Sequence, residues 1–232
     1  MSKPVAAPLR AISSMATRQL LAELFAAHAQ ATGQTVELEA VGGVDAAKRV
    51  QAGEPFDLVI LASDALDKLI AAGQVRPGRV DLVSSGVAVA VKAGAARPAL
   101  HSAEAVQAAV LAAPSVGYST GPSGVALIEL FKRWGVAEAI APRLHQAQPG
   151  IPVGRMVAEG TVALGFQQLS ELIHVPGLDI VGPLPPDIQI TTVFSAGLGA
   201  QCRHLEAARA LLDFMASPEA LAAKRRQGMD AA

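Results

Sequence analysis

Cysteine and aromatic residues are scarce in this chain of 232 residues. Cys202 is the single cysteine, so the chain can form no internal disulfide and offers no cluster of thiolates to a metal. Aromatic residues make up 3% and the net charge is −1, whereas nucleic-acid-binding surfaces need positive charge and stacking rings. We therefore expect no metal site and no nucleic-acid partner.

Long apolar runs are also missing. No stretch is long enough to span a bilayer, and the first eight residues lack the continuous apolar segment of a secretory signal. We expect either a cytoplasmic protein or the mature chain of a periplasmic one. Hydrophobic residues nevertheless make up 51% and charged residues 17%, which indicates a folded chain with one large domain or two small lobes.

The first third of the chain alternates strand and helix signals. Short apolar strand patterns precede helix patterns that end at glycine, three times in succession. The predicted strands are 9–13, 35–41 and 56–62, and the predicted helices are 17–32, 45–52 and 64–72. This alternation predicts an α/β fold, in which a mixed, mostly parallel sheet has helices on both faces.

A second α/β cycle follows two apolar segments within 80–92, which are separated by Ser84-Ser85-Gly86. Strands are predicted at 116–118, 162–166 and 190–194, an extended segment at 142–146, and helices at 103–111, 125–134, 152–159, 205–215 and 220–227. The prolines within 183–186 predict a connection without regular structure.

The loop Tyr118–Gly124 is the strongest functional signal from the residues themselves. It is rich in Ser, Thr and Gly, it follows a strand, and it leads into a helix that Pro122 suits as a first-turn residue. The first N–H groups of a helix lack intrahelical partners and lie at the positive end of its dipole. The pattern therefore predicts a cradle for a small anion.

Four segments together resemble the type II periplasmic solute-binding proteins, in particular their molybdate-binding branch. They are residues 11–15, 50–60, 118–124 and 211–220. The resemblance covers nearly the whole chain and implies two α/β lobes joined by two crossing strands that act as a hinge. It places lobe I at 1–84 plus 195–232 and lobe II at 85–194, with a ligand cleft between them.

The resemblance also implies a set of ligand contacts, with two departures from the molybdate-binding pattern. Ser14 matches the serine of the first loop, but Gly42 and Gly43 stand where a second serine is expected. Gln167 or Gln168 replaces a tyrosine after a later strand. Fewer hydroxyls and a roomier second loop favour a di- or tricarboxylate over molybdate.

Each candidate contact has a structural alternative as a helix cap, a turn residue or an exposed side chain. Arg155 is included because its planar guanidinium suits a carboxylate, and the glutamines because they follow a strand at its carboxyl end. The predicted ligand-binding residues are Ser13, Ser14, Gly42, Gly43, Ser63, Tyr118, Ser119, Thr120, Ser123, Arg155, Gln167 and Gln168.

Two main functions follow as hypotheses. The first is a monomeric binding protein that captures a small oxyanion or carboxylate without a cofactor, with a transporter permease as partner if it is exported. The second is an enzyme on the same scaffold, an isomerase of the aconitate type that shifts an allylic proton. Tyr118, His145 or a carboxylate could serve as its base, and Arg155, Ser14 and the Ser/Thr loop could hold the substrate carboxylates. A ligand sensor that passes lobe closure to another protein is a third alternative.

Overall fold

The computed structural model describes residues 7–148 and 150–232, so the beginning of the N-terminal segment considered above lies outside it. The chain forms two compact units. Unit 1 comprises the chain up to Ser84 together with Val193–Ala232, and unit 2 is the continuous segment Ser85–Thr192.

Strands and helices alternate through most of the chain. In the first half they are β1 Leu9–Ser14, α1 Arg18–Thr32, β2 Val36–Val41, α2 Gly43–Gln51, β3 Leu58–Ala62, α3 Ser63–Ala71, β4 Val80–Lys92 and α4 Ala103–Ala112. The second half continues with β5 Val116–Tyr118, α5 Pro122–Arg133, α6 Ala137–Ile140, β6 Leu144–Gln146, α7 Val153–Glu159, β7 Leu164–Gln168, α8 Leu169–Leu172, β8 Leu178–Pro183, β9 Thr191–Leu198, α9 Leu205–Ala216, α10 Leu221–Arg226 and β10 Asp230–Ala231. The chain passes between the units within β4 and returns within β9.

Unit 1 has a sheet with the strand order β2-β1-β3-β9-β4, and β10 also pairs with β4. Strand β1 lies parallel to both β2 and β3, whereas β9 runs antiparallel to β3. Alternate residues of β3 enter different cores because successive side chains of a strand point to opposite faces. Leu58 and Ile60 pack with α1 and the C-terminal helices, while Val59 and Leu61 pack with α2 and α3.

Unit 2 repeats this arrangement around the order β4-β7-β5-β6, with β8 also paired to β4. Strand β5 is parallel to β6 and β7, and β4 is antiparallel to β7 and β8. Val87, Val89 and Val91 of β4 pack against α4 and α5, whereas Ala88 and Ala90 pack against Leu172 on the other face. The predicted α/β fold, with a mixed sheet flanked by helices, is confirmed.

Candidate functional site

In unit 1, three neighbouring parallel strands end at one edge of the sheet. The central strand β1 ends at Ser14, which lies beside Val41 at the end of β2, and β3 ends at Ala62 on the other side. Each strand leads directly into a helical segment, so Ser14, Gly42 with Gly43, and Ser63 all lie at this edge. Ligands of open α/β sheets bind at the carboxyl ends of strands, and this edge is such a location.

The hydroxyl of Ser14 is the most informative atom at that edge. Ser14 is 7% exposed, and its Oγ is buried without a hydrogen-bond partner. Its carbonyl is fully engaged, because the Ser13 and Thr17 hydroxyls donate to it over 3.2 and 3.1 Å. A buried hydroxyl without a partner costs about 1–3 kcal/mol, so its retention favours a contact with a ligand atom.

Gly43 lies close to the Ser14 side chain. A Cβ built on Gly43 would stand 3.5 Å from Ser14 Cβ, an ordinary van der Waals contact, so the absence of a side chain at Gly43 leaves space beside Ser14. Gly42 occupies the cap position of α2, and a Cβ there would stand 3.3 Å from Asp45 Oδ2. The carboxylate of Asp45 partly neutralises the positive end of the α2 helix dipole.

Ser63 is the first residue of α3, after Ala62 at the cap position, and it is partly buried. Asp64 follows it in the first turn, as Asp45 does in α2. Neutral hydroxyl and N–H donors, rather than side-chain cations, are therefore what this edge presents to an anion.

In unit 2, the loop after β5 has the predicted strand–loop–helix form. Gly121 is at the cap position of α5 and Pro122 is its first residue. The hydroxyls of Ser119 and Ser123 lie 3.2 Å apart and share a hydrogen bond. Thr120 is half-buried between them in the chain.

Tyr118 ends β5 beside Phe166 of β7, and its ring packs partly against the core of unit 2. That ring contact supports a structural role for Tyr118, and the residue as a whole is partly exposed.

The two glutamines at the end of β7 are both 3% exposed. Gln167 Oε1 accepts a hydrogen bond from Gly154 N over 3.1 Å. Gln168 Nε2 donates to Thr192 Oγ1 over 2.8 Å, while Gln168 Oε1 is buried without a partner. Gln167 thus has a structural role, and Gln168 keeps one unpaired polar atom.

Arg155 and His145 are both exposed. Arg155 is on the solvent side of α7, where its Nε donates to Glu159 Oε1 over 2.7 Å and its side chain is 64% exposed. That hydrogen bond and the nearby carboxylate raise the pKa of Arg155. His145 is exposed on β6, beside Gly117 of β5. Whether any of these candidates contacts a ligand stays a prediction.

Sequence reasoning overlooked three polar residues of unit 2. Ser85 and Ser170 are 2% and 4% exposed, and the Oγ atoms of both are buried without a partner. Burial raises the pKa of the Glu171 carboxyl to about 7, although a hydrogen bond from the Gln167 side chain opposes the shift. For Ser170 and Glu171 the available signal was their position just after β7, since polar residues there follow the carboxyl end of a strand.

Other reactive groups are not arranged for chemistry. Burial and the neighbouring Asp57 raise the pKa of the Cys202 thiol to about 11, so it is not a thiolate at neutral pH. Within residues 7–148 and 150–232, no group of three or more His, Cys, Asp or Glu side chains is placed to hold a metal ion. None of the helices in that part of the chain is long and apolar enough to cross a membrane.

Comparison with known proteins identifies relatives of the whole chain. An aconitate isomerase from Pseudomonas sp is 39% identical over 228 residues, which cover 95% of this chain and 87% of that protein. Among solved structures, the periplasmic molybdate-binding protein of Azotobacter vinelandii aligns with a TM-score of 0.81 at 20% identity. The alignment covers 97% of this chain and 99% of the molybdate-binding protein. The sulfate-binding protein of Mycobacterium tuberculosis aligns with a TM-score of 0.76 at 17% identity, over 97% of this chain and 87% of the sulfate-binding protein.

These two structures share the fold, as the resemblance to the type II, molybdate-binding-like branch predicted. The family model for bacterial extracellular solute-binding proteins matches residues 9–230, nearly the entire chain. The chain therefore belongs to the bacterial extracellular solute-binding protein family.

Proposed function

We propose that this chain binds a small polycarboxylate anion of the aconitate type. The observation that carries the proposal is the buried, unpartnered hydroxyl of Ser14, at a sheet edge that supplies helix-start N–H groups as further donors. Such neutral donors bind oxyanions and carboxylates alike. The 39% identity to an aconitate isomerase supports the carboxylate class.

The residues that replace the molybdate-binding pattern support the same choice. Gly42 and Gly43 supply backbone N–H groups without a second hydroxyl. A compact tetrahedral dianion would lose a hydroxyl donor at this edge of unit 1. A flat acid with several carboxylates needs more room and has more oxygens to place.

A thermal-shift screen tests the ligand class. A ligand that binds only the folded state raises the unfolding temperature in proportion to RT ln(1 + [L]/Kd). We expect cis- or trans-aconitate to give the largest shift among aconitate isomers, citrate, molybdate, tungstate and sulfate at equal concentration. A larger shift with molybdate or tungstate would overturn the polycarboxylate assignment.

Isomerisation of the bound acid is the second candidate function, and the identity to an aconitate isomerase over 95% of the chain favours it. The reaction removes a proton from the methylene carbon, moves the double bond, and returns a proton to the former vinylic carbon. One proton leaves and one is added, so no redox cofactor is required. A positioned acid–base group and donors that hold the carboxylates are sufficient.

Proton NMR of the protein with pure trans-aconitate, and separately with pure cis-aconitate, tests this candidate. Enzyme-dependent appearance of the other isomer supports it. If the protein binds aconitate but the isomers interconvert no faster than without protein, only the receptor function remains.

The two candidates also predict different partners and compartments. A receptor in the periplasm would deliver its solute, as a monomer, to a transporter permease, whereas an isomerase needs neither export nor a permease. Fractionation of the native cells, with detection of the chain in periplasmic and cytoplasmic extracts, separates these proposals.

A further inference from the structure

Two buried hydroxyls hold the backbone of Ser14 at the end of β1. Ser13 and Thr17 are 0% and 1% exposed, so both side chains lie inside unit 1. Ser13 Oγ donates to the Ser14 carbonyl oxygen over 3.2 Å, and Thr17 Oγ1 donates to the same oxygen over 3.1 Å. The Ser14 hydroxyl itself has no partner among the described residues. Of the three hydroxyls at this strand end, two are therefore used inside the protein and one is left unpaired.

Thr17 occupies a helix-cap position without capping the helix. A threonine at the cap of a helix normally accepts a hydrogen bond from an N–H of the first turn. Thr17 is the cap residue of α1 but makes no such side-chain bond. Its hydroxyl instead donates back along the chain to the Ser14 carbonyl. Capping of α1 therefore does not account for the hydroxyl at position 17.

The two hydrogen bonds restrain the Ser14 peptide group from both directions along the chain. One donor precedes Ser14, and the other follows it by three residues, across the 3₁₀ turn Met15–Thr17. Ser14 is in an extended conformation, with φ −72° and ψ 156°, at the point where the strand ends and the turn begins. A fixed carbonyl direction fixes ψ at this point. Because the peptide unit is planar, it also fixes the direction of the N–H group that follows.

This restraint matters because Ser14 has no side-chain support from Gly43, its neighbour at the start of α2. A donor whose position is set before binding loses less conformational freedom when a ligand arrives, and it therefore binds more tightly than a mobile donor. Neither restraining bond uses Ser14 Oγ. The backbone is thus held in place while the hydroxyl stays unpaired.

We propose that Thr17 and Ser13 are positioning residues for anion binding, which act through Ser14 and do not touch the ligand. Their hydroxyls hold the Ser14 carbonyl, so that the Ser14 hydroxyl is in place to donate to a carboxylate group of the bound acid. The proposal rests on the proposed function, because it requires a carboxylate at Ser14. For Ser13 it replaces the direct ligand contact predicted from the sequence with an indirect role.

The first comparison is between Thr17→Val, which removes the hydroxyl and keeps the branched shape, and Thr17→Ser, which keeps the hydroxyl. Calorimetric titration with cis- and trans-aconitate measures Kd for both variants and the wild type. We expect Thr17→Val to weaken binding about 3- to 10-fold and Thr17→Ser to stay within about twofold of the wild type. The upper limit is the loss of about tenfold expected for Ser14→Ala, because Thr17 contributes only through the Ser14 hydroxyl.

A double-mutant cycle shows whether Thr17 acts through Ser14. In the Ser14→Ala background there is no hydroxyl to position, so Thr17→Val should change Kd by less than about twofold there. A purely structural residue would lower stability in both backgrounds, but its effect on Kd would not depend on Ser14. Ser13→Ala removes the other donor and should give the same pattern, and it keeps the test decisive if Thr17→Val does not fold.

Thr32→Val is the matched control, because Thr32 Oγ1 also donates to a backbone carbonyl, that of His28, over 2.8 Å at the far end of α1. It should lower stability in denaturant unfolding and leave Kd unchanged. Wild-type affinity in Thr17→Val would overturn the positioning role, as would equal weakening by Thr17→Val with and without the Ser14 hydroxyl. Failure of the wild type to bind any of the polycarboxylates would instead refute the proposed function itself.

Discussion

At the scale of single residues, Ser14 differs from an ordinary helix-capping serine. A helix-capping serine would donate or accept a hydrogen bond at the cap, but Ser14 makes no side-chain capping bond and its hydroxyl is unpartnered. The protein therefore gains nothing in stability from this hydroxyl.

Ser14→Ala is expected to separate binding from stability. Removal of an unpartnered buried hydroxyl should leave the free energy of unfolding unchanged or raise it by about 1 kcal/mol. Loss of one hydrogen bond to a charged ligand, worth about 1.5 kcal/mol or more, should weaken binding about tenfold. Denaturant unfolding and calorimetric titration with aconitate measure the two effects.

Ser217→Ala is the matched control, because the Ser217 hydroxyl donates to Phe214 O over 2.8 Å in the same unit. It should lose about 1 kcal/mol of stability and leave binding unaltered. The opposite result for Ser14→Ala, lower stability with full affinity, would show that Ser14 is only structural.

Glu171 makes stability depend on pH in a direction opposite to that of an ion-paired carboxylate. Its pKa is about 7 in the folded protein and 4.5 as an ordinary glutamate. Below about pH 4.5 both states are protonated and there is no penalty. As pH rises toward 7, only the unfolded state ionises, so the folded state loses up to about 3 kcal/mol relative to low pH.

Glu171→Gln should remove this pH-dependent loss. Urea unfolding at pH 5.5 and pH 8.5 should show a smaller decline with pH for the variant than for the wild type, and greater stability of the variant at pH 8.5. Parallel declines in the two proteins would contradict a desolvated carboxyl at this position.

Residue-level prediction from sequence depended on local signals. Ser14 ends β1 and Gly43 begins the helix after β2, and the structure places both at one sheet edge, where their contact with a ligand stays a prediction. Glu171 gave no comparable signal, since its raised pKa comes from burial by distant parts of the fold. The pairing of Arg155 with Glu159, four residues on, was readable from the sequence but was not weighed.

At the scale of elements, prediction was most reliable for strands that are apolar throughout. The continuous run of β3 was identified because such strands are buried on both faces. Strand β4 was predicted as two segments, but it is one strand of 13 residues that runs through Ser84, Ser85 and Gly86. Strand β8 was missed, because Gly182 and Pro183 within it are turn formers and its pairing with β4 is irregular.

The start of α5 depends on a glycine inside its first turn. A Cβ on Gly124 would lie 1.8 Å from Ser119 O, a backbone atom that cannot move aside without displacing the loop. Gly124→Ala should therefore destabilise the protein by about 3 kcal/mol and separate the Ser119 and Ser123 hydroxyls. Denaturant unfolding measures the loss.

Gly121→Ala is the control at the cap of the same helix, where a Cβ would meet nothing within 4 Å. It should lower stability by about 1 kcal/mol or less. Equal losses in the two variants would mean that glycine is required for backbone freedom in this loop rather than for close packing.

At the scale of the whole molecule, the two units differ in how the chain builds their cores. Unit 2 is one continuous segment, and its main apolar cluster draws only on residues between Val87 and Ile190. Unit 1 needs both ends of the chain, because its largest cluster joins α1 and β1 to residues after β9. The buried residues that the segment beyond His204 contributes are Ala208, Leu211, Leu212, Met215, Ala220, Ala223 and Met229.

Truncation after His204 should therefore unfold unit 1 and spare unit 2. Each large aliphatic side chain lost from a core costs about 2–5 kcal/mol, so removal of Leu211, Leu212 and Met215 alone is comparable to the whole stability of a domain. Hydrogen exchange followed by mass spectrometry should show peptides from 9–71 exchanging rapidly, while peptides from 103–168 keep their protection. As a control, removal of the exposed Ala232 alone should change the exchange of neither set of peptides. If unit 2 lost protection together with unit 1, unit 2 would not fold independently. Its own apolar core would then be too small to keep it folded without unit 1.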